Sequence, residues 1–240
     1  MNMGKIDIHV YGVHERDDMI AATVTKLGLS YDNVHYDDRP ERGLMMYTAK
    51  KAWLAPIPNG VTHRVALADD VEVCDGFLEI CEQIIETHPD AVVSLFPYEF
   101  MKRIPAIENA DTPYFKCNVL SGCAIIMPVK YIEPCFDYVK AVFDDNCADD
   151  EGIQAYAESR GLLMLTTVPA TIQHIGDDSV AFPGRFVRRT VYYDVAPKVD
   201  WSNPTVMQYV EKEWFFSNHG KRRSDSIGIV KQIGGDIACE

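Results

Sequence analysis

The sequence predicts an α/β protein, a sheet covered by helices on both faces, with a basic extension at its C-terminal end. Three observations predict it. Apolar segments of strand character alternate with segments of helical period from Lys5 to about Val168. The balance of 47% hydrophobic and 25% charged residues is that of a globular chain, which excludes disorder, collagen and coiled coil. Beyond Gly184 the pattern changes to a basic, aromatic and less regular one.

Lys5–Val13 reads as a strand, because Ile6, Ile8 and Val10 alternate with Asp7, His9 and Tyr11. A helix follows, with Ile20, Val24 and Leu27 on one face and Gly28 at its end. Asn33–Tyr36 is a short strand that ends in Asp37-Asp38. Leu44–Leu54 is helical. His63–Ala68 is an apolar strand that runs into Asp69-Asp70. Asp75 is placed to cap a helix whose apolar face is Phe77, Leu78, Cys81, Ile84 and Ile85. Ala91–Phe96 and Cys123–Met127 are strands. Ile132–Phe143 is a helix that tolerates Pro134 in its first turn. Asp149 or Asp150 caps a helix ending at Gly161, and Leu163–Val168 is a further strand. One more helix is expected at Thr205–Phe215. The division is a domain over residues 1–183 and an extension over 184–240.

The 240 residues carry 23 Lys and Arg against 36 Asp and Glu, a net charge of −13. Such a balance weakly opposes polyanion binding. From Gly184 to Arg223, however, eight basic residues face four acidic ones. Arg185, Arg188 and Arg189 are interleaved there with Phe186, Tyr192 and Tyr193, and Lys221-Arg222-Arg223 follows Trp214, Phe215 and Phe216. Cations follow phosphates and rings stack on bases or sugars, so the strip is a candidate acceptor surface for nucleic acid. The plainer reading is a basic strip that neutralises an acidic body. The seven cysteines form no CxxC pair and are read as reduced thiols. No apolar run approaches the roughly 18 residues of a membrane span. No secretory signal opens the sequence, and a cytoplasmic location is expected.

The sharpest chemical feature is Val65-Ala66-Leu67-Ala68-Asp69-Asp70, an apolar strand ending in adjacent carboxylates. Ligands of an open α/β sheet sit beyond the carboxyl ends of its strands. Carboxylates there hold a hard divalent cation that clamps a diphosphate. The alternative is a polar turn. Asp144-Asp145 and Asp149-Asp150-Glu151 form a second acidic group, read either as acids at a helix start or as a general base for an acceptor hydroxyl. His174 lies just past an apolar strand, where neutral imidazole is a common metal ligand. His9, His14, His35, His63, His88 and His219 show no ligand spacing and are given no role. Gly122-Cys123 opens a strand, and glycine there permits close approach of a ligand or of another backbone. No G-x-G-x-x-G is present.

In this order the segments resemble glycosyltransferases of the GT-A fold, over roughly residues 5–183. The resemblance implies a Rossmann-like mixed sheet flanked by helices. It also implies that Tyr11, Gly12, Val13, Asp37 and Asp38 hold the nucleotide of a UDP-sugar. Lys50 would then be a phosphate contact, on a helix over the donor sugar. Ala68-Asp69-Asp70 resembles the D-x-D motif. Its first acid is replaced by Ala68, so the resemblance places the metal, Mn²⁺ or Mg²⁺, on Asp70 and the ribose or sugar on Asp69. Gly122 and Cys123 resemble the small-residue segment beside the sugar. Asp149, Asp150 and Glu151 resemble the acidic motif under the acceptor, with Asp150 or Glu151 as base, and His174 resembles the late histidine of the metal site. The stretches Tyr36–Ala55 and Arg64–Phe77 resemble small bacterial and bacteriophage members. Some phage members glycosylate hydroxymethylated pyrimidines in DNA, which would give Arg185, Arg188 and Arg189 a DNA acceptor. The competing readings are a saccharide-directed transferase, a metal-dependent nucleotidyltransferase and a non-catalytic nucleotide-binding module.

Overall fold

The computed structural model describes residues 5–39, 45–97, 112–176, 190, 193–210 and 229–233. Among the described residues nine strands form one mixed sheet. β1 (Ile6–Gly12) pairs in parallel with β2 (Val34–Tyr36) on one side and β3 (His63–Ala68) on the other. β3 pairs antiparallel with β7 (Ala124–Pro128), which also pairs antiparallel with β5 (Val92–Ser94). β5 and β8 (Met164–Thr167) are parallel, and β8 and β6 (Tyr114–Lys116) are antiparallel. β10 (Val206–Val210) lies parallel to β6, and β11 (Ile229–Ile233) closes that edge antiparallel to β10. A separate ribbon joins β4 (Val71–Val73) to β9 (Ile172–His174).

The local signals explain most elements. α1 (Asp17–Leu27) starts on Asp17 and Asp18, buries Ile20, Thr23, Val24 and Leu27, and stops at Gly28. Gly28 has φ +63°, and its N–H bonds back to the Val24 and Thr25 carbonyls, the left-handed ending that glycine permits. α2 (Met46–Trp53) and α4 (Ile132–Phe143) fall where helical period places them. Every residue of β3 is buried, which a strand flanked on both edges and covered on both faces requires. Trp53, Ile84, Ile126 and Leu165 are among the fully buried side chains, each burial contributing about 1.5–3 kcal/mol.

Four expectations are corrected. α3 (Phe77–Thr87) is preceded by Gly76 rather than capped by Asp75, whose carboxylate pairs instead with Lys26 at 3.1 Å. Its buried face is Phe77, Ile80, Cys81, Ile84 and Ile85; Leu78 is 40% exposed. The cap of α5 (Asp149–Ser159) is Ala148, so Asp149 and Asp150 are its first two helical residues. Val206–Val210 is strand, not the start of a helix over Thr205–Phe215. The edge of β6 offers that segment a ladder of backbone hydrogen bonds, and the β-branched Val206 suits it. Among the described residues no helix is long and apolar enough to cross a membrane.

Candidate active site

The end of β3 is built as a charged turn with two arms. Asp70 faces the β4–β9 ribbon. Val71 is in register with His174, and the Ile175 N–H donates to the Asp70 carbonyl at 2.8 Å. This sets His174 Nε2 at 3.2 Å from Asp70 Oδ2. Gly176 packs flat on the same carboxylate, and a Cβ there would lie 2.8 Å from Oδ2. Asp69 turns the other way, toward β1. Its Oδ2 accepts the Val13 N–H at 2.8 Å, and its side chain occupies the space a Cβ on Gly12 would need, at 2.1 Å. Only glycine fits at position 12.

A residue the sequence did not single out joins the two arms. Arg16 Nη1 lies 2.6 Å from Asp69 Oδ1 and 2.6 Å from Asp70 Oδ2. Nothing in the spacing of Arg16 and Asp69 along the chain announces this contact. Burial pushes the Asp70 carboxyl up, but the hydrogen bond and charge of His174 and the charge of Arg16 outweigh it and hold it below the usual range. Burial and the neighbouring Asp70 push Asp69 above its usual range in spite of Arg16.

The residues fit a divalent ion. Two neighbouring ligands, each about 2.1 Å from an octahedral ion, stand about 3 Å apart, and Asp70 Oδ2 and His174 Nε2 are 3.2 Å apart. His174 Nδ1 is buried without a hydrogen-bond partner among the described residues. No group of three or more His, Cys, Asp or Glu suited to a metal occurs among the described residues. Two ligands from a chain are enough where water and substrate phosphates complete the shell, as they do for Mg²⁺.

The second acidic group meets the same end of β1. The Tyr11 hydroxyl lies 2.8 Å from Asp149 Oδ2 and 2.5 Å from the Gly122 carbonyl. One hydroxyl has one proton for these two acceptors. Burial, and then the charge of Asp150, push the Asp149 carboxyl up to about 7. The Tyr11 hydroxyl donates toward both oxygens, and its bond to Asp149 opposes that rise without cancelling it. Burial likewise raises the Tyr11 phenol well above its ordinary value. Asp150 is half-buried. Its Oδ2 accepts the Gly122 N–H at 3.1 Å and its Oδ1 the Glu151 N–H at 2.9 Å. Glu151 is exposed and its Oε2 accepts the Ala148 N–H at 3.3 Å, the backward half of a capping box. A Cβ on Gly122 would come within 3.0 Å of Asp149 Oδ1. The Cys123 carbonyl accepts the Ala68 N–H at 2.9 Å, which ties this loop to the end of β3.

The other expected residues lie around this centre in different ways. The Asp37 N–H donates to the Gly12 carbonyl at 2.8 Å, carrying the β1–β2 pairing one residue further. The Asp37 carboxylate holds Arg39 at two points, 2.9 and 2.7 Å, and this pairing lowers its pKa. Asp38 pairs with Lys51 at 3.1 Å and accepts from the Tyr47 hydroxyl at 3.2 Å. His14 stacks on Tyr36 with ring centroids 3.9 Å apart. The Lys50 ammonium is engaged by Asp145 at 2.9 Å. Arg185, Arg188 and Arg189 lie outside the described residues, as does His219.

Two histidines given no role form a partly buried chain with Asp7 on β1 and β2. His9 Nε2 lies 2.9 Å from Asp7 Oδ2, and His9 Nδ1 lies 2.8 Å from His35 Nε2. Burial and then His9 lower His35 to about 4. Arg64, wholly buried, donates to Asp7 and to the carbonyls of Trp53 and Ala55 at 2.7 Å. A guanidinium at the C-terminal end of α2 stabilises its dipole and pins that helix to β1 and β3. None of the described cysteines is part of a disulfide.

No family model matches the chain, and no curated protein matches it in sequence. Among solved structures it is similar to the Drosophila β1,4-galactosyltransferase 7. One such structure, a mutant complex with manganese, UDP-Gal and xylobiose, is 8% identical with a TM-score of 0.44, over 99% of this chain and 96% of that one. Another, a catalytic-domain complex with xylobiose, is 8% identical with a TM-score of 0.40 over the same shares.

Proposed function

We propose that the chain is a metal-assisted glycosyltransferase that moves a sugar from a nucleoside diphosphate sugar to an acceptor hydroxyl. One observation carries the reading: two acidic groups far apart in sequence converge on adjacent residues of one strand end. Asp69 packs on Gly12, and Asp149 binds the hydroxyl of Tyr11. The first group suits a cation and the diphosphate it neutralises. The second suits a proton acceptor a short distance away.

In this reading Asp70 and His174 hold Mn²⁺ or Mg²⁺. The ion supplies charge neutralisation where the departing diphosphate gains negative charge. Val13, Asp37 and Asp38 line the nucleotide side of the strand ends, and Asp69 and Cys123 the sugar side. Asp150 is the base. Its carboxylate is fixed by two backbone N–H groups yet half-buried, whereas Glu151 serves the helix start and Asp149 holds a proton near neutral pH. The hydroxyl proton passes to Asp150 as the oxygen attacks the anomeric carbon and the bond to the diphosphate breaks, an inverting displacement. For the acceptor, the charge and aromatic pattern of residues 184–223 supports a hydroxylated nucleobase in DNA.

The experiment is Mn²⁺-dependent hydrolysis of UDP-sugars, followed by transfer to hydroxymethylpyrimidine DNA and to saccharides. Metal-dependent release of UDP supports the transferase. Binding of UDP-sugar without turnover on any acceptor would favour a non-catalytic module. Release of pyrophosphate from a nucleoside triphosphate would favour a nucleotidyltransferase. Transfer to a saccharide, with no DNA binding at low salt, would remove the DNA acceptor alone.

A further inference from the structure

Arg16 carries an inference that rests on the metal reading above. Its side chain is 12% exposed, and its Nη1 contacts both Asp69 and Asp70. On Asp70 it shares Oδ2 with His174, so the guanidinium stands on the oxygen a divalent ion would take. Asp69 and Asp70 are only 4% and 5% exposed. Two adjacent buried carboxylates cannot both remain ionised without a positive partner. Here the chain supplies that partner itself, from the short turn His14–Arg16 that leads into α1.

We propose that Arg16 is a placeholder cation: it offsets part of the charge of Asp69 and Asp70 while no metal is bound, and a divalent ion gains Asp70 only by displacing the guanidinium from it. The formal charges make this a coupled step. Two carboxylates and one guanidinium sum to a single negative charge, so a divalent ion leaves a single positive one. An anion such as a diphosphate then cancels the excess, and the displaced guanidinium, still anchored on Asp69, has donors for it. Metal and nucleotide therefore load together, and metal alone binds weakly because the competent state is the minor one.

The test measures Mn²⁺ binding to the full chain from the electron-spin signal of the free ion, with and without UDP. Arg16→Ala should bind Mn²⁺ alone about tenfold tighter than the parent, the gain expected from removing an internal competitor that fills the site about nine-tenths of the time. UDP should then add less to Mn²⁺ affinity than it adds in the parent. The melting temperature of Arg16→Ala should fall without metal and recover with Mn²⁺ by more than the parent's rises. Where Arg16→Ala fails to fold, Arg16→Gln removes the charge but keeps the stem and an N–H donor, and the same shifts are expected. Unchanged or weaker Mn²⁺ affinity in a folded variant, beside normal Mn²⁺-UDP binding in the parent, overturns the placeholder alone. No Mn²⁺ uptake by any of these proteins, even with UDP, overturns the metal reading and the placeholder with it.

Discussion

Asp69-Asp70 and Asp149-Asp150-Glu151 are alike in composition and reach the same end of β1, yet they are neutralised in opposite ways. At the end of β3 a guanidinium and an imidazole surround the carboxylates, and Asp70 stays ionised below its usual range. At the start of α5 no cation contacts Asp149 among the described hydrogen bonds and ion pairs. Its neighbours are a phenol, a carbonyl region and another acid, and its carboxyl holds a proton to about pH 7. Residue type thus says little about charge state at either place. A buried carboxyl takes its protonation from what is packed against it.

The largest effect should come from the cation side. Asp70→Ala removes a proposed metal ligand, worth several kcal/mol of transition-state stabilisation. Metal-dependent UDP-sugar turnover should fall below detection while circular dichroism is unchanged. Normal turnover that still needs metal would remove Asp70 from the site. His174→Ala should weaken Mn²⁺ and UDP together in a calorimetric titration; unchanged affinity would leave His174 a structural partner of Asp70.

Next comes the base. Asp150→Asn should slow transfer by about 10²–10⁴-fold with donor binding preserved. Glu151→Gln should leave the rate nearly untouched, because that side chain only reaches back to the Ala148 N–H. A rate profile in which Glu151→Gln is the slower variant would exchange their roles.

The third effect sharpens the contrast in charge state. A carboxyl raised from 3.8 to about 7 takes up a proton on folding. Its contribution to stability is therefore full below about pH 4 and is lost as pH rises through about 7. Asp149→Asn, which mimics the protonated acid, should flatten the dependence of urea-unfolding stability on pH across that interval. A slope identical to the parent's would mean that Asp149 is ionised throughout. The smallest effect is expected from Tyr11→Phe, which leaves Asp149 and the Gly122 carbonyl without their shared hydroxyl. It should cost about 1–3 kcal/mol in the same unfolding measurement.

What the sequence determined by itself is local. The alternation of Ile6, Ile8 and Val10, the apolar run of His63–Ala68, the helical faces of α1 and α4 and the glycine at position 28 each act within a few residues, so β1, β3 and these helices are legible without a partner. Asp69 and Asp70 could be placed beyond a strand end for the same reason. The short strands β4, β6 and β9 hold three residues each, too few to show a period. Val206–Val210 follows the open edge of β6 rather than its own helical pattern. The tertiary structure alone decided that Arg16 stands between two aspartates more than fifty positions away, and that Tyr11 meets Asp149 across 138 positions. It also decided that His9 and His35 share a bond beside Asp7. The physical reason is common to all three. Hydrogen bonds and ion pairs in a buried site depend on distances of about 3 Å between side chains, and sheet pairing, not sequence spacing, sets those distances.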